Sequence, residues 1–254
     1  MDVGGEIRLG SMLFTLVEPH RGHEVAYNRW YERDHFYAGC MVGPWLYAGR
    51  RWVATKELKD LRIGTDPALF GDDTLGSYLA VYFVIDGKHD EHFGWALKQV
   101  RWLHENGRMF PERDHIHTLL YRFDWALGLD DGVPPELALD HPFEGLAATV
   151  IELSDGARSE DVRAWLADAF PPDMELAFRP IPLPPGSPVT QPGIDNLDRR
   201  ILTLGFLRDH PAALWDEQRE VLDALATSGI GRALWSAPFM PTIPGTDTYT
   251  DQLW

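Results

Sequence analysis

Apolar residues along the first half of the chain switch between two periods, and the switches mark elements. The run MLFTLVEPH (12–20) has the apolar, β-branched character of a strand, and HEVAYNRWYERDHFYA (23–38) predicts a helix that nothing breaks before Gly39. WLYAGRRWVA (45–54) alternates like a strand, and SYLAVYFVID (77–86) predicts a third. DEHFGWALKQVRWLHEN (90–106) predicts a helix ended by Gly107, and HIHTLLYRFDWAL (115–127) a fourth strand. The order is βαββαβ.

The second half repeats that order more weakly. LAATVIEL (146–153) predicts a strand, SEDVRAWLADAF (159–170) a helix opened by a Ser159 cap, and LAFRPIPL (176–183) an extended Pro-rich piece. RRILTLGFL (199–207) predicts a strand, PAALWDEQREVLDALATSG (211–229) a helix with Pro in its first turn and Gly at its end, and RALWSAPFMP (232–241) a last strand. Sliding 12–36 onto 146–170, an offset of 134, aligns Thr15 with Thr149, Glu18 with Glu152, Gly22 with Gly156, Arg29 with Arg163, Asp34 with Asp168 and Phe36 with Phe170. The expectation is an α+β protein of two tandem ferredoxin-like (βαββαβ) repeats, residues 10–127 and 143–241. A linker at 128–142 joins them, and a tail follows at 242–254. The tail is polar but ends Leu253-Trp254, so it is expected to dock across a pocket or onto a neighbouring subunit.

Composition narrows the class. The 254-residue chain carries a net charge of −16 with scattered basic residues, which argues against nucleic acid or an anionic membrane surface as partner. A single cysteine, Cys40, excludes an internal disulfide and reads as a lone buried thiol in a reducing compartment. The N-terminal segment lacks an apolar signal region and no run is long enough to span a membrane, so a soluble, cytoplasmic protein is expected. Eight of the ten histidines fall before residue 118, which places the titratable chemistry in the first half. At the 134 offset, His23, Tyr27, Tyr31 and His35 become Ala157, Asp161, Trp165 and Ala169. Packing alone does not demand polar groups on those turns.

A strand, a helix ending aromatic-x-x-x-His and a strand rich in Gly, Arg and aromatics resemble the dimeric α+β barrel superfamily, EthD-like proteins most of all. Tyr31-Glu32-Arg33-Asp34-His35 occupies that motif, while the Gly-Pro that usually follows the histidine is postponed to Gly43-Pro44. The resemblance implies a barrel with an apolar cavity between sheet and helices. It leaves open cofactor-free cyclase or isomerase chemistry, quinol-forming monooxygenation and haem chemistry. Two repeats in one chain would form the α+β barrel alone, so a homodimer is allowed but not required.

On a regular helix Tyr27, Trp30, Tyr31, Asp34 and His35 share one stripe. His35 is the expected general acid or base, with Tyr31 and Tyr27 as hydrogen-bond partners and Asp34 as orienter. Trp30, Arg51 (alternating with Tyr47 and Gly49), Tyr78, Tyr82, His115, His117 and Tyr121 are the expected substrate-binding residues, the last three read as sharing one strand face. The expected function is cofactor-independent lyase, cyclase or isomerase chemistry on a small or polycyclic hydrophobic compound, with no organic cofactor. One alternative is a metal- or haem-dependent oxygenase using His89, His92, His115 and His117. The other is a non-catalytic binder of hydrophobic ligands. A satisfied core histidine is the competing reading of His35. No Gly-rich phosphate loop, Gly-x-Ser-x-Gly elbow or His-Glu-x-x-His is present.

Overall fold

The computed structural model describes residues 5–64, 67–72, 74–128, 132–170, 172–182 and 196–254. Residues 129–131 of the expected linker and residue 183 of the expected extended piece lie outside them. The first half comprises β1 (Leu9–Pro19), α1 (Glu24–Trp30) running into a π-helix (Tyr31–Met41), β2 (Leu46–Val53), short α2 (Lys56–Asp60) and α3 (Pro67–Phe70), β3 (Tyr78–Ile85), α4 (His89–Glu105) and β4 (Arg113–Leu127). The second comprises β5 (Gly145–Leu153), α5 (Ser159–Ala169), β6 (Met174–Ile181), β7 (Arg200–Leu207), α6 (Trp215–Ser228) and β8 (Gly231–Pro241).

The eight strands close into one antiparallel barrel in the order β1-β3-β2-β8-β5-β7-β6-β4. Each half contributes the same four-strand order, β4-β1-β3-β2 and β8-β5-β7-β6, as a βαββαβ unit requires. One seam is long, running from Leu120 opposite Ile181 to Leu127 opposite Glu175. The other pairs only Trp52 with Pro241 and Val53 with Met240. Closure removes the exposed strand edges that each half would otherwise present. The duplication shows in the register: Thr15 lies opposite Thr118 with hydroxyls 2.8 Å apart, and Thr149 lies opposite Ser236 at 2.7 Å.

An eight-stranded barrel is just wide enough to be filled by side chains. Here Phe14, Trp52, Phe83, Phe178, Phe206 and Phe239, all fully buried, do so. Arg50 stacks on Trp52 at 4.5 Å and donates to the carbonyls of Leu139 and His141, so the segment expected as a linker plugs the barrel mouth with Ala138 and Leu139, next to Phe143. Among the described residues no helix is long and apolar enough to cross a membrane.

Local chemistry moved several expected boundaries. Gly39 does not end the first helix, because the helix has widened to i→i+5 bonding by then; the Val42 N–H still reaches the Tyr37 carbonyl at 3.1 Å. Gly39 is needed where it is, since a Cβ there would lie 2.8 Å from the His35 ring. Ser159 is not the cap of α5. The Asp161 carboxylate accepts from the Arg158 N–H at 2.8 Å, and the Ser159 hydroxyl instead receives the Trp125 indole N–H at 2.7 Å. Pro211 sits in a separate 3₁₀ turn, and α6 begins four residues later.

The tail docks within its own chain. Gly245 N–H donates to Glu32, Asn28 donates to the Thr246 carbonyl, Arg29 pairs with Asp247, and the Trp254 indole donates to Glu24 at 2.7 Å. Leu253 is fully buried beside it. Truncating such a leucine loses its transfer free energy and leaves a cavity. Leu253→Ala is therefore expected to lower stability by about 2–3 kcal/mol in urea titration.

Candidate functional site

The two repeats offer the same space, between the outer sheet face and the helices, and fill it oppositely. In the first repeat the register sets Tyr82 opposite Leu13 and Gly49, and Ala80 opposite Thr15 and Arg51. In the second it sets Gly205 opposite Ala147 and Glu175, and Thr203 opposite Thr149 and Ala177. A large side chain over a glycine in one repeat thus becomes a glycine under a carboxylate in the other.

The first repeat is packed with rings. Tyr27, Tyr31, Tyr78 and Tyr82 are buried, with ring centroids of Tyr27 5.7 Å from Tyr31 and 5.4 Å from Tyr78. The Tyr31 and Tyr82 hydroxyls share a hydrogen bond of 2.8 Å. Tyr82 lies over Gly49, where a Cβ would meet its ring at 2.7 Å. The buried Arg51 guanidinium stands 4.5 Å from the Tyr31 ring and is held by Asn28 at 2.9 Å and Glu32 at 3.1 Å. Burial pushes the Tyr27 hydroxyl and the Cys40 thiol each up to about 12, so both stay protonated.

His35 stands apart from the tyrosine hydroxyls expected to serve it. Its ring stacks on Trp30 at 4.5 Å and meets Tyr31 edge-on, and its buried Nδ1 has no hydrogen-bond partner among the described residues. Asp34 does not orient it: the carboxylate pairs with Arg108, whose Nε donates at 3.2 Å. The π-helix is the reason. Its wider turn lays Tyr27, Tyr31, Phe36 and Cys40 against the core, at steps of four and five, where a regular helix would have presented residues 34 and 35. Burial, with Arg113 nearby, holds the His35 imidazole down to about 3.

The strand residues also divide. The register of β4 against β1 slips between His117 and His115, an irregularity that puts the two imidazoles on opposite faces. His117 joins Tyr121 inside the barrel, Nε2 to Oη 2.9 Å, and burial holds it down to about 3. His115 stays outside and meets the Thr118 hydroxyl at 2.9 Å. A second slip between Leu46 and Ala48 turns Tyr47 onto Phe83, away from Arg51 and Gly49. His89 meets the Ser11 hydroxyl and His92 donates to the Pro44 carbonyl. The expected histidine cluster is therefore dispersed, and among the described residues no group of three or more His, Cys, Asp or Glu is placed to hold a metal ion.

The second repeat is open. Between its sheet, α5 and α6 lies a cavity of about 680 Å³. Small residues form its floor (Ala147, Thr149, Thr203, Gly205), and Trp165, Phe170 and Trp215 stand among its walls. Trp165 and Ala169 are the counterparts of Tyr31 and His35 at the 134 offset. Glu175 lies across Gly205, its Oε2 only 2.6 Å from where a Cβ would be. Burial pushes this carboxyl up to about 7, against the opposing pull of the Thr203 hydroxyl that donates to it. Gln218 reaches the Thr149 hydroxyl at 3.5 Å, which continues to Ser236. Glu175 was missed from the sequence because the strand begins at Met174, two residues before the expected extended piece. The available signal was a lone acid alternating with Met174, Leu176 and Phe178 in a buried strand.

No protein-family model matches the chain, and no curated protein matches it in sequence. Solved structures do resemble it. A protein described as a putative chlorite dismutase superposes with a TM-score of 0.51 at 11% identity, over 97% of this chain and 100% of that one. A DypB variant from Rhodococcus jostii RHA1, in complex with heme, gives 0.50 at 9% identity over 99% and 98%. The chain has the ferredoxin-like α+β barrel fold of these proteins.

A heme in this fold asks for an axial donor and for cations near its propionates. The cavity's described lining contains no His, Cys, Tyr, Lys or Arg. Between residues 143 and 241 the sequence holds no Cys or Tyr and one histidine, His210, which is exposed and accepts from the Ala212 N–H. Met174, the one thioether along the lining, is packed with Phe206 in the barrel-interior cluster. In the first repeat, which has the histidine, rings occupy the space. These residues do not fit a heme.

Proposed function

We propose that the protein encloses a small, ring-bearing apolar compound in the cavity of the second repeat, and that Glu175 moves a proton on it. The observation that carries this reading is the Glu175 carboxyl laid over Gly205 in a cavity of about 680 Å³. That volume falls in the range of small-molecule sites, roughly 300–1,000 Å³. A carboxyl held near 7 is matched to taking and returning a proton at neutral pH. Glu175 would remove a proton from carbon and return it elsewhere, while the Gln218 amide, which has a second N–H beside the one given to Thr149, is the donor available to an enolate oxygen. The class is isomerase or lyase chemistry through an enol, as expected from the sequence, with the acid–base residue moved from His35 to Glu175.

Gly205→Phe tests it. Its Cβ would meet only the far end of the Glu175 side chain, and its ring would extend into the space that Tyr82 fills in the first repeat. Binding of a neutral naphthalene alcohol, followed by calorimetry, is expected to disappear while the thermal midpoint does not fall. Undiminished binding in a folded Gly205→Phe protein would place the ligand elsewhere. The unpartnered Nδ1 of His35 supports a second reading, in which a smaller ligand completes that imidazole's hydrogen bonds. His35→Ala separates the two, because only the second reading predicts that it lowers turnover.

A further inference from the structure

We infer that the compound taken by this cavity is a cation, an amine carried on an apolar ring system. The inference rests on the cavity being the ligand site and adds the charge of the ligand. Five carboxylates line the cavity, Asp173, Glu175, Asp209, Glu217 and Glu220, and no Lys, Arg or His is among the described lining residues. One of the five is partly offset, since Arg208 reaches Asp173 at 3.4 Å. The others have no ion pair among the described residues. Their arrangement is graded. Asp209, Glu217 and Glu220 are exposed at the rim, whereas Glu175 is at the floor, so the field strengthens toward the interior as solvent is excluded.

The walls match the same chemistry. Trp165, half-buried at the wall, presents an indole ring, the ring type that attracts a desolvated ammonium most strongly, and the buried Trp215 backs that wall with its N–H on the Leu61 carbonyl. An anion would meet five carboxylates and no donor cation, and a neutral ring compound would leave the Glu175 charge without a counter-ion. A ring-bearing ammonium satisfies both features, its ring against Trp165 and Phe170 and one N–H toward one oxygen of Glu175, whose other oxygen is left to take the proton. The first repeat has the reverse polarity at the equivalent place. There Arg51 stands where Ala177 does here and already pairs with the Glu32 carboxylate, so the preference belongs to the second repeat alone.

Three probes on one ring frame test this by calorimetry at pH 8: 2-naphthylmethylamine, 2-naphthalenemethanol and 2-naphthoate. The amine is expected to bind about tenfold or more tighter than the alcohol, with no detectable binding of the naphthoate. Glu175→Gln should weaken the amine about tenfold and the alcohol by much less. Gly205→Phe should abolish amine binding, which distinguishes the cavity from the acidic surface; amine binding that survives in this variant overturns the inference. If alcohol and naphthoate bind as well as the amine, the cavity reading stands and the cation preference is overturned. If none of the three binds, the cavity reading falls and the preference with it.

Discussion

Glu175→Gln is expected to raise the stability of the protein by about 2–3 kcal/mol at pH 8 and to leave it nearly unchanged at pH 4, while proton transfer in the cavity is lost. The sign follows from the direction of the shift. A carboxyl raised from 4.5 to about 7 binds its proton more tightly in the folded state than in the unfolded one. Above pH 7 the folded state holds an ionised group that burial disfavours, and the unfolded state does not. Below pH 4.5 both states are protonated and the difference vanishes. Each pKa unit corresponds to about 1.4 kcal/mol, and the part of Glu175 that faces the cavity reduces the total. The amide keeps the shape and the Thr203 contact but cannot accept a proton from carbon. Gains in stability from removing one group, paired with lost function, mark a site whose strain serves activity. Urea titrations at pH 4, 6 and 8 beside rate measurements test this. Equal stability of wild type and variant at pH 8 would show that Glu175 is not held against its ionisation.

The barrel was legible in the sequence for a reason the site was not. Strand and helix periods are written by side chains that are present, and duplication made each element visible twice; the identities of Thr15 with Thr149 and Glu18 with Glu152 reappear as matched strand positions. A cavity is written by side chains that are small. Gly205, Ala147 and Thr203 look like unremarkable strand residues until the register sets them against Tyr82, Leu13 and Ala80 of the other repeat. Concentration of histidine and tyrosine in the first half pointed to chemistry, and the structure packs many of those rings against one another. Two further features misled residue counting. The widened helix after Trp30 changed which positions face inward, and one slipped residue at Ile116 reversed the parity of His115. Neither alters the hydrophobic pattern enough to be read from it.

Those packed histidines make acid the condition to which the fold is most sensitive. His35 and His117 are held at about 3, against an unfolded value near 6.5, so each stays neutral in the folded state while the unfolded chain binds a proton. Their contribution is complete above pH 6.5 and is lost as pH falls from there toward 3. At pH 5 each costs about 2 kcal/mol, about 4 together, and roughly 7 at pH 4. His115 is shifted in the same direction but is exposed, and solvent screening removes most of its share. Glu175 opposes them, because its protonation between pH 7 and 4.5 relieves about 2–3 kcal/mol. The net expectation is a loss of about 2 kcal/mol between pH 7 and 5, reaching about 4 at pH 4. The two effects separate by substitution. Glu175→Gln removes the relief and steepens the decline, whereas His117→Phe, whose ring fits among Phe14 and Phe70, removes one titrating group and flattens it by about 1.4 kcal/mol per pH unit. Unfolding free energies that stay level from pH 6.5 to 4 in the wild-type protein would mean that neither imidazole is kept neutral by the fold.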